Sequence, residues 1–109
     1  KNAASLNSVF SLKIIEAYIQ EEIPGQENQA SKWVFSIQVA IGIELESLVF
    51  GNETYPLKKN GVKYSVVLKN KFYSEKDIPE KHYLKYWHNG KLKTVNLSNI
   101  QLKEALYLP

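Results

Sequence analysis

The side chains best suited to catalysis or metal binding in this chain are two histidines, a close pair of glutamates and a single aspartate. His82 and His88 lie on one face of a segment that reads as a strand. Six residues at ~3.4 Å each put them roughly 20 Å apart. They cannot share an ion whose ligands sit about 2 Å from it. Glu44 and Glu46 are two apart on one strand face. A glycosidase needs two carboxyls ~5–10 Å apart across a cleft, and this pair can reach that spacing. A hydrated outer face accounts for the same pattern. Asp77 sits in a lysine- and glutamate-rich loop and reads as a solvated carboxylate. No serine occupies a Gly-x-Ser-x-Gly elbow, and no glycine-rich loop is built to cradle phosphate. With no cysteine there is no thiolate metal site and no disulfide. We therefore expect a non-enzymatic protein with no catalytic residue, no cofactor and no metal ion.

Aromatic side chains offer a different chemistry. Tyr83, Tyr86 and Trp87, with Tyr55 and Tyr73, can form a stacking surface for a sugar or a peptide. Tyr83, Tyr86, Trp87 and Tyr55 are the candidate partner-binding residues. Aromatic residues are also the usual core and cross-strand partners of sheets, so burial is the competing expectation for each. Asn52-Glu53-Thr54 and Asn96-Leu97-Ser98 match the three-residue acceptor pattern for N-glycosylation.

The basic charge comes from fourteen lysines and no arginine. Arginine is the usual reader of guanine and the preferred bidentate clamp on phosphate, so specific nucleic-acid recognition is not expected. Residues 1–57 carry three Lys and seven Glu, net −4; residues 58–109 carry eleven Lys, three Glu and one Asp, net +7. Either acidic and basic strands pair across a sheet, or a basic face awaits an acidic partner or anionic lipid.

The elements that position these residues are β-strands. From Trp33 to Leu45 every odd position is large and apolar, while the even positions are mostly small or polar. That alternation marks a strand with one buried face, and Trp33, Phe35, Ile37, Val39 and Ile41 are expected to point inward. Thirteen residues would span about 44 Å, so a bend or bulge is expected near Gly42. Asn7 to Ile19 carries apolar residues in both phases, as a strand buried on both faces would, or one with a bulge that switches phase near Lys13. The polar run Glu21–Gln29, with Pro24-Gly25, reads as a loop. Two tight hairpins follow from turn chemistry. Gly51-Asn52 suits a type II′ turn, facing Val49 to Thr54 and Leu48 to Tyr55. Asn89-Gly90 suits type I′, pairing Trp87 with Leu92, Lys85 with Thr94 and Tyr83 with Asn96. Val62 to Leu68 alternates as a strand opened by Asn60-Gly61, and Ser74 to Lys81 reads as a charged loop. Ser98 and Gln101 fit a capping box, and Leu102, Ala105 and Leu106 would share a helical face. A short C-terminal helix is expected there, with a last strand as the alternative.

A chain of 109 residues is one domain. We expect residues 1–6 to be a disordered tether and residues 7–109 a single all-β domain, an immunoglobulin-like β-sandwich of about seven strands. No apolar run approaches the ~20 residues of a membrane helix. The competing reading is a small ligand-binding or hydrolase-like β-barrel, which needs a deep pocket with converging polar groups.

The stretch Tyr86-Trp87-His88-Asn89-Gly90-Lys91-Leu92-Lys93, with Leu102 and Leu106-Tyr107-Leu108-Pro109, resembles the tail of small uncharacterised envelope proteins of Bacteroidetes. Those proteins pair an apolar–Tyr strand, a Gly turn and a lysine-rich return strand with a closing Leu-Tyr-x-Pro. The likeness covers about the last quarter of the chain. It implies a leader upstream and an exported protein in the bacterial envelope, periplasmic or associated with the outer membrane. The polar start Lys1-Asn2-Ala3-Ala4-Ser5, without methionine, fits either a processed lipoprotein or a trimmed expression product. A lipid anchor would need a cysteine just before Lys1. The expected role is a non-catalytic binding or interaction module, with another envelope protein or a glycan as partner.

Overall fold

The computed structural model describes residues 12–109. The expected tether, and the part of the Asn7–Ile19 strand before Leu12, lie outside the described residues. Nine strands form two sheets: β1 (Ile14–Ile23), β2 (Lys32–Val39), β3 (Glu44–Phe50), β4 (Glu53–Pro56), β5 (Lys58–Asn60), β6 (Lys63–Leu68), β7 (His82–His88), β8 (Lys91–Asn96) and β9 (Gln101–Tyr107). The five-stranded sheet A runs β5-β6-β2-β1-β9 and the four-stranded sheet B runs β4-β3-β7-β8. The chain lays two strands in one sheet, then two in the other, until β9 returns to sheet A. Without β9, the order β5-β6-β2-β1 over β4-β3-β7-β8 is the D-E-B-A and C′-C-F-G arrangement of an immunoglobulin-like sandwich. The sheets do not close into a barrel. Their interior is filled by Phe35, Ile37 and Ile19 from sheet A, Leu48 and Leu84 from sheet B, and Phe72 from a loop. Each such side chain contributes about 1.5–3 kcal/mol when fully buried. Phe72 meets Trp33 and Phe50 edge-on, with ring centroids 5.6 and 5.8 Å apart.

The thirteen-residue alternating run is two strands, not one. It breaks at Ala40–Ile43, where Gly42 takes a φ of +96° that side chains with a Cβ avoid. The chain crosses there from sheet A to sheet B, a sharper change than the expected bend. Phe35, Ile37 and Val39 are buried and Trp33 packs on the core, as their phase requires. Ile41 is a correction: it sits in the crossing and is fully exposed, because the turn takes it out of both sheets. Glu21 and Glu22, expected in a loop, continue β1 through Ile23, paired with Trp33 and Lys32. The irregularity in β1 falls between Ile14 and Glu16, next to the expected site.

Both hairpins have the expected registers. Val49 faces Thr54 and Leu48 faces Tyr55; Trp87 faces Leu92, Lys85 faces Thr94 and Tyr83 faces Asn96. The expected C-terminal helix is a strand, β9, parallel to β1. Its helical spacing comes from a bulge. Gln20 pairs with Lys103 but Glu22 pairs with Leu106, so β9 carries one extra residue there and its apolar phase shifts. A capping box does exist, but in the charged loop. Ser74 and Asp77 close a 3-10 helix over Glu75–Asp77. Among the described residues, no helix is long and apolar enough to cross a membrane.

Candidate functional site

The β7–β8 hairpin brings together the largest exposed aromatic side chain of sheet B, an apolar neighbour and three lysines. Its turn is held by Asn89 at φ 52° and Gly90 at φ 75°, the two positive values a type I′ turn requires. That turn fixes the pairing, and the pairing fixes the faces. Leu84 and Tyr86 are buried and point to the core, so Tyr83, Lys85 and Trp87 take the outer face of the sheet. Leu92, Thr94 and Asn96 stand beside them from β8. Trp87 is 39% and Leu92 45% exposed, and they are a direct cross-strand pair. Tyr83, half-buried, covers Val49 of β3, which is buried although it points outward. On the other side of Trp87 stands Glu44.

The candidate aromatics therefore divide by phase. Tyr83 and Trp87 share the outer face. Tyr86 and Tyr55 are 5% and 6% exposed and belong to the core. The Tyr55 hydroxyl accepts the backbone N–H of Lys69 at 3.2 Å. Tyr73 is exposed but lies in the loop after β6, away from this strand pair.

A second constellation covers the outer face of sheet A, and the linear pattern gave no sign of it. Lys63 of β6, reaching across β2, and Lys103 of the neighbouring β9 converge on Glu16 of β1, at 3.6 and 3.0 Å. Lys63 Nζ also donates to the Tyr18 hydroxyl at 3.1 Å, and Lys103 Nζ sits 3.8 Å from the centre of the Tyr18 ring. The hydrogen bond from Lys103 outweighs desolvation and, with both lysine charges, holds the Glu16 carboxyl below the usual range. Burial pushes the Tyr18 hydroxyl up. Hydrogen bonds with Lys63 and Ser36 and the charges of both lysines outweigh it, so the group titrates lower than a free phenol. Lys63 is raised by its hydrogen bond with Tyr18, then by the charges facing it. The ion pairs among the described residues are these two and Lys69–Glu53 at 3.1 Å, and each joins the acidic half of the chain to the basic half. Ion pairs between segments distant in the chain, one of them across directly paired strands, thus absorb part of the charge asymmetry.

The titratable candidates remain dispersed. Glu46 is the bulged residue between Leu45 and Ser47, and both it and Glu44 are exposed. Asp77 accepts the backbone N–H groups of Tyr73 and Ser74 at 2.7 and 3.1 Å, a loop-closing role. His82 and His88 stand at opposite ends of β7. His82 borders an open cleft with Glu75, Glu80, Ser98 and Asn99, and its buried Nδ1 has no hydrogen-bond partner among the described residues. Among those residues, no three His, Cys, Asp or Glu side chains gather closely enough to hold a metal ion. Asn52 lies in the Gly51-Asn52 turn and Asn96 ends β8, both exposed. No family model, curated protein or solved structure matches this chain.

Proposed function

We propose that this domain is a non-catalytic binding module of the bacterial cell envelope, and that the outer face of the β7–β8 hairpin meets a protein partner there. The observation that carries the reading is the solvent-exposed Trp87–Leu92 pair. Tryptophan is enriched among residues that dominate binding energy, and it acts best in a patch that excludes water. Tyr83, Lys85 and Thr94 on the same face supply a polar rim of the kind interfaces carry. The envelope location is supported by the likeness of the C-terminal quarter to Bacteroidetes envelope proteins.

The test is made in the native host with the product of the full gene. A photo-crosslinking residue is placed at Trp87, at Leu92 and, as a control, at exposed Val62 on the sheet A turn. A discrete adduct with one envelope protein is expected from the first two positions and not from the third. No adduct from Trp87 or Leu92, or adducts of equal yield from Val62, would remove the hairpin face as the contact. Recovery of uncleaved protein in the cytosol would remove the location.

A further inference from the structure

The edge of β8 has a specific hydrogen-bonding pattern. In a two-residue hairpin the pair flanking the turn, His88 and Lys91, exchanges backbone hydrogen bonds, and bonded and non-bonded pairs then alternate. Lys91, Lys93 and Val95 therefore spend their backbone groups on β7. Leu92, Thr94 and Asn96 point theirs away from the sheet. Sheet B ends at β8, so among the described residues this row of donors and acceptors has no strand beside it. Side chains mark the two flanks of the row. Lys91 and Lys93 stand on the side of His88 and Tyr86, whereas Leu92 and Thr94 stand on the side of Trp87 and Lys85. Lys85, Lys91 and Lys93 form no ion pair among the described residues, in contrast to Lys63, Lys69 and Lys103.

We infer that this edge of β8 takes up an extended acidic segment of a protein partner as a fifth strand of sheet B. The inference rests on the binding-module reading and names the chemistry of its partner. An added strand satisfies the outward groups of Leu92, Thr94 and Asn96 through its own backbone. Its side chains alternate between faces. Acidic residues at every second position meet Lys91 and Lys93, and apolar residues between them extend the Trp87–Leu92 strip. Edge lysines ordinarily discourage strand pairing. Here the same charges repel a basic strand and attract an acidic one, which gives selectivity by charge. An anionic membrane fits the arrangement less well. The lysines project to both faces of the sheet rather than onto one plane, and lipid headgroups leave the backbone row unmet.

The experiment uses the whole protein and a fluorescein-labelled peptide alternating glutamate and valine, with the six-residue length of β8. Anisotropy should report binding that weakens with salt, and a lysine–valine peptide should not bind. Lys91→Glu with Lys93→Glu should weaken the acidic peptide by about tenfold or more. Thr94→Pro removes an outward N–H without touching the β7 ladder, a place where an edge strand tolerates proline. It should abolish peptide binding while the thermal transition stays cooperative. Full affinity in Thr94→Pro would reduce the contact to charge alone and overturn strand addition. Binding to phosphatidylglycerol vesicles without peptide binding would assign the lysines to a membrane. Self-association in place of peptide binding would assign the edge to a second copy of the chain. If the peptide fails but the Trp87 crosslink persists, strand addition falls and the binding-module reading stands; loss of both removes both.

Discussion

The outer face of sheet A and the β7–β8 hairpin use the same residue type, lysine, in opposite ways. On sheet A, Lys63 and Lys103 are spent inside the molecule, each bound to Glu16 and drawn to Tyr18, and together they tie β6 and β9 to β1. On sheet B, Lys85 stands on the face of exposed Trp87, while Lys91 and Lys93 flank the edge of β8 from the opposite face, and none of the three forms an ion pair among the described residues. A charge already matched within the fold acts as a brace. A charge left unmatched beside apolar surface is available to something else. Composition cannot separate these cases, because all five residues are lysines in the basic half of the chain.

The comparison holds only if both faces rest on one core, and the largest effect tests that. Phe35 is fully buried beneath sheet A. Phe35→Ala should cost about 3–5 kcal/mol by denaturant unfolding and weaken both faces together. A cost below about 1 kcal/mol, the range of ordinary surface changes, would mean the two faces do not share that support. The next effect is confined to the hairpin. Gly90 has a φ of 75°, and Gly90→Val forces a β-branched residue into the left-handed region at about 1–3 kcal/mol. Reduced thermal stability is expected, with loss of the Trp87 crosslink. Unchanged stability would show that the turn does not hold the register.

Smaller effects sharpen the contrast between the lysines themselves. Lys103→Ala should lose about 0.5–1 kcal/mol, the worth of an exposed cation–π contact, whereas Lys93→Ala should leave stability unchanged and reduce peptide binding. Equal stability losses would erase the distinction. The smallest effect is a pH dependence. Glu16 has its pKa lowered by folding, chiefly by the hydrogen bond from Lys103, so its contribution is present at neutral pH and lost as pH falls through the depressed value. Glu16→Gln should therefore narrow the difference in Tm between pH 7 and strongly acidic solution. An unaltered difference would show that Glu16 is not linked to folding.

How much of this was legible in the sequence follows from how local each cause is. Both hairpin registers were readable because Gly51-Asn52 and Asn89-Gly90 carry their turn chemistry within two residues. The break near Gly42 was readable as a bend but not as a change of sheet, since nothing local distinguishes a kinked strand from two strands in opposite layers. Ile41 was misplaced for that reason. Helix and last strand compete for the β9 segment in the sequence because its partner, β1, lies far away in the chain and its bulge imitates helical spacing. The hairpin face was partly legible. Tyr83, Lys85 and Trp87 alternate with Leu84 and Tyr86, and that phase separates exposed from buried aromatics once one core residue is known. The Glu16–Tyr18–Lys63–Lys103 brace was not legible, since three separate strand pairings must form before those side chains meet. Phe72 was hidden in a loop between polar neighbours.

The parallel pairing of β9 with β1 also sets an order of events during synthesis. Gln101 meets Tyr18, so the contact waits until almost the whole described chain has been made. Until then the side of β1 that β9 will cover carries unpaired backbone groups, while β2 can already pair on the other side. Contacts of such large sequence separation form slowly, and exposed strand edges are where incomplete chains stick to one another. The Lys103–Glu16 and Lys103–Tyr18 contacts therefore serve as a late latch: they close only when the last strand arrives, and they end the period in which a growing chain can pair with a neighbour in its place.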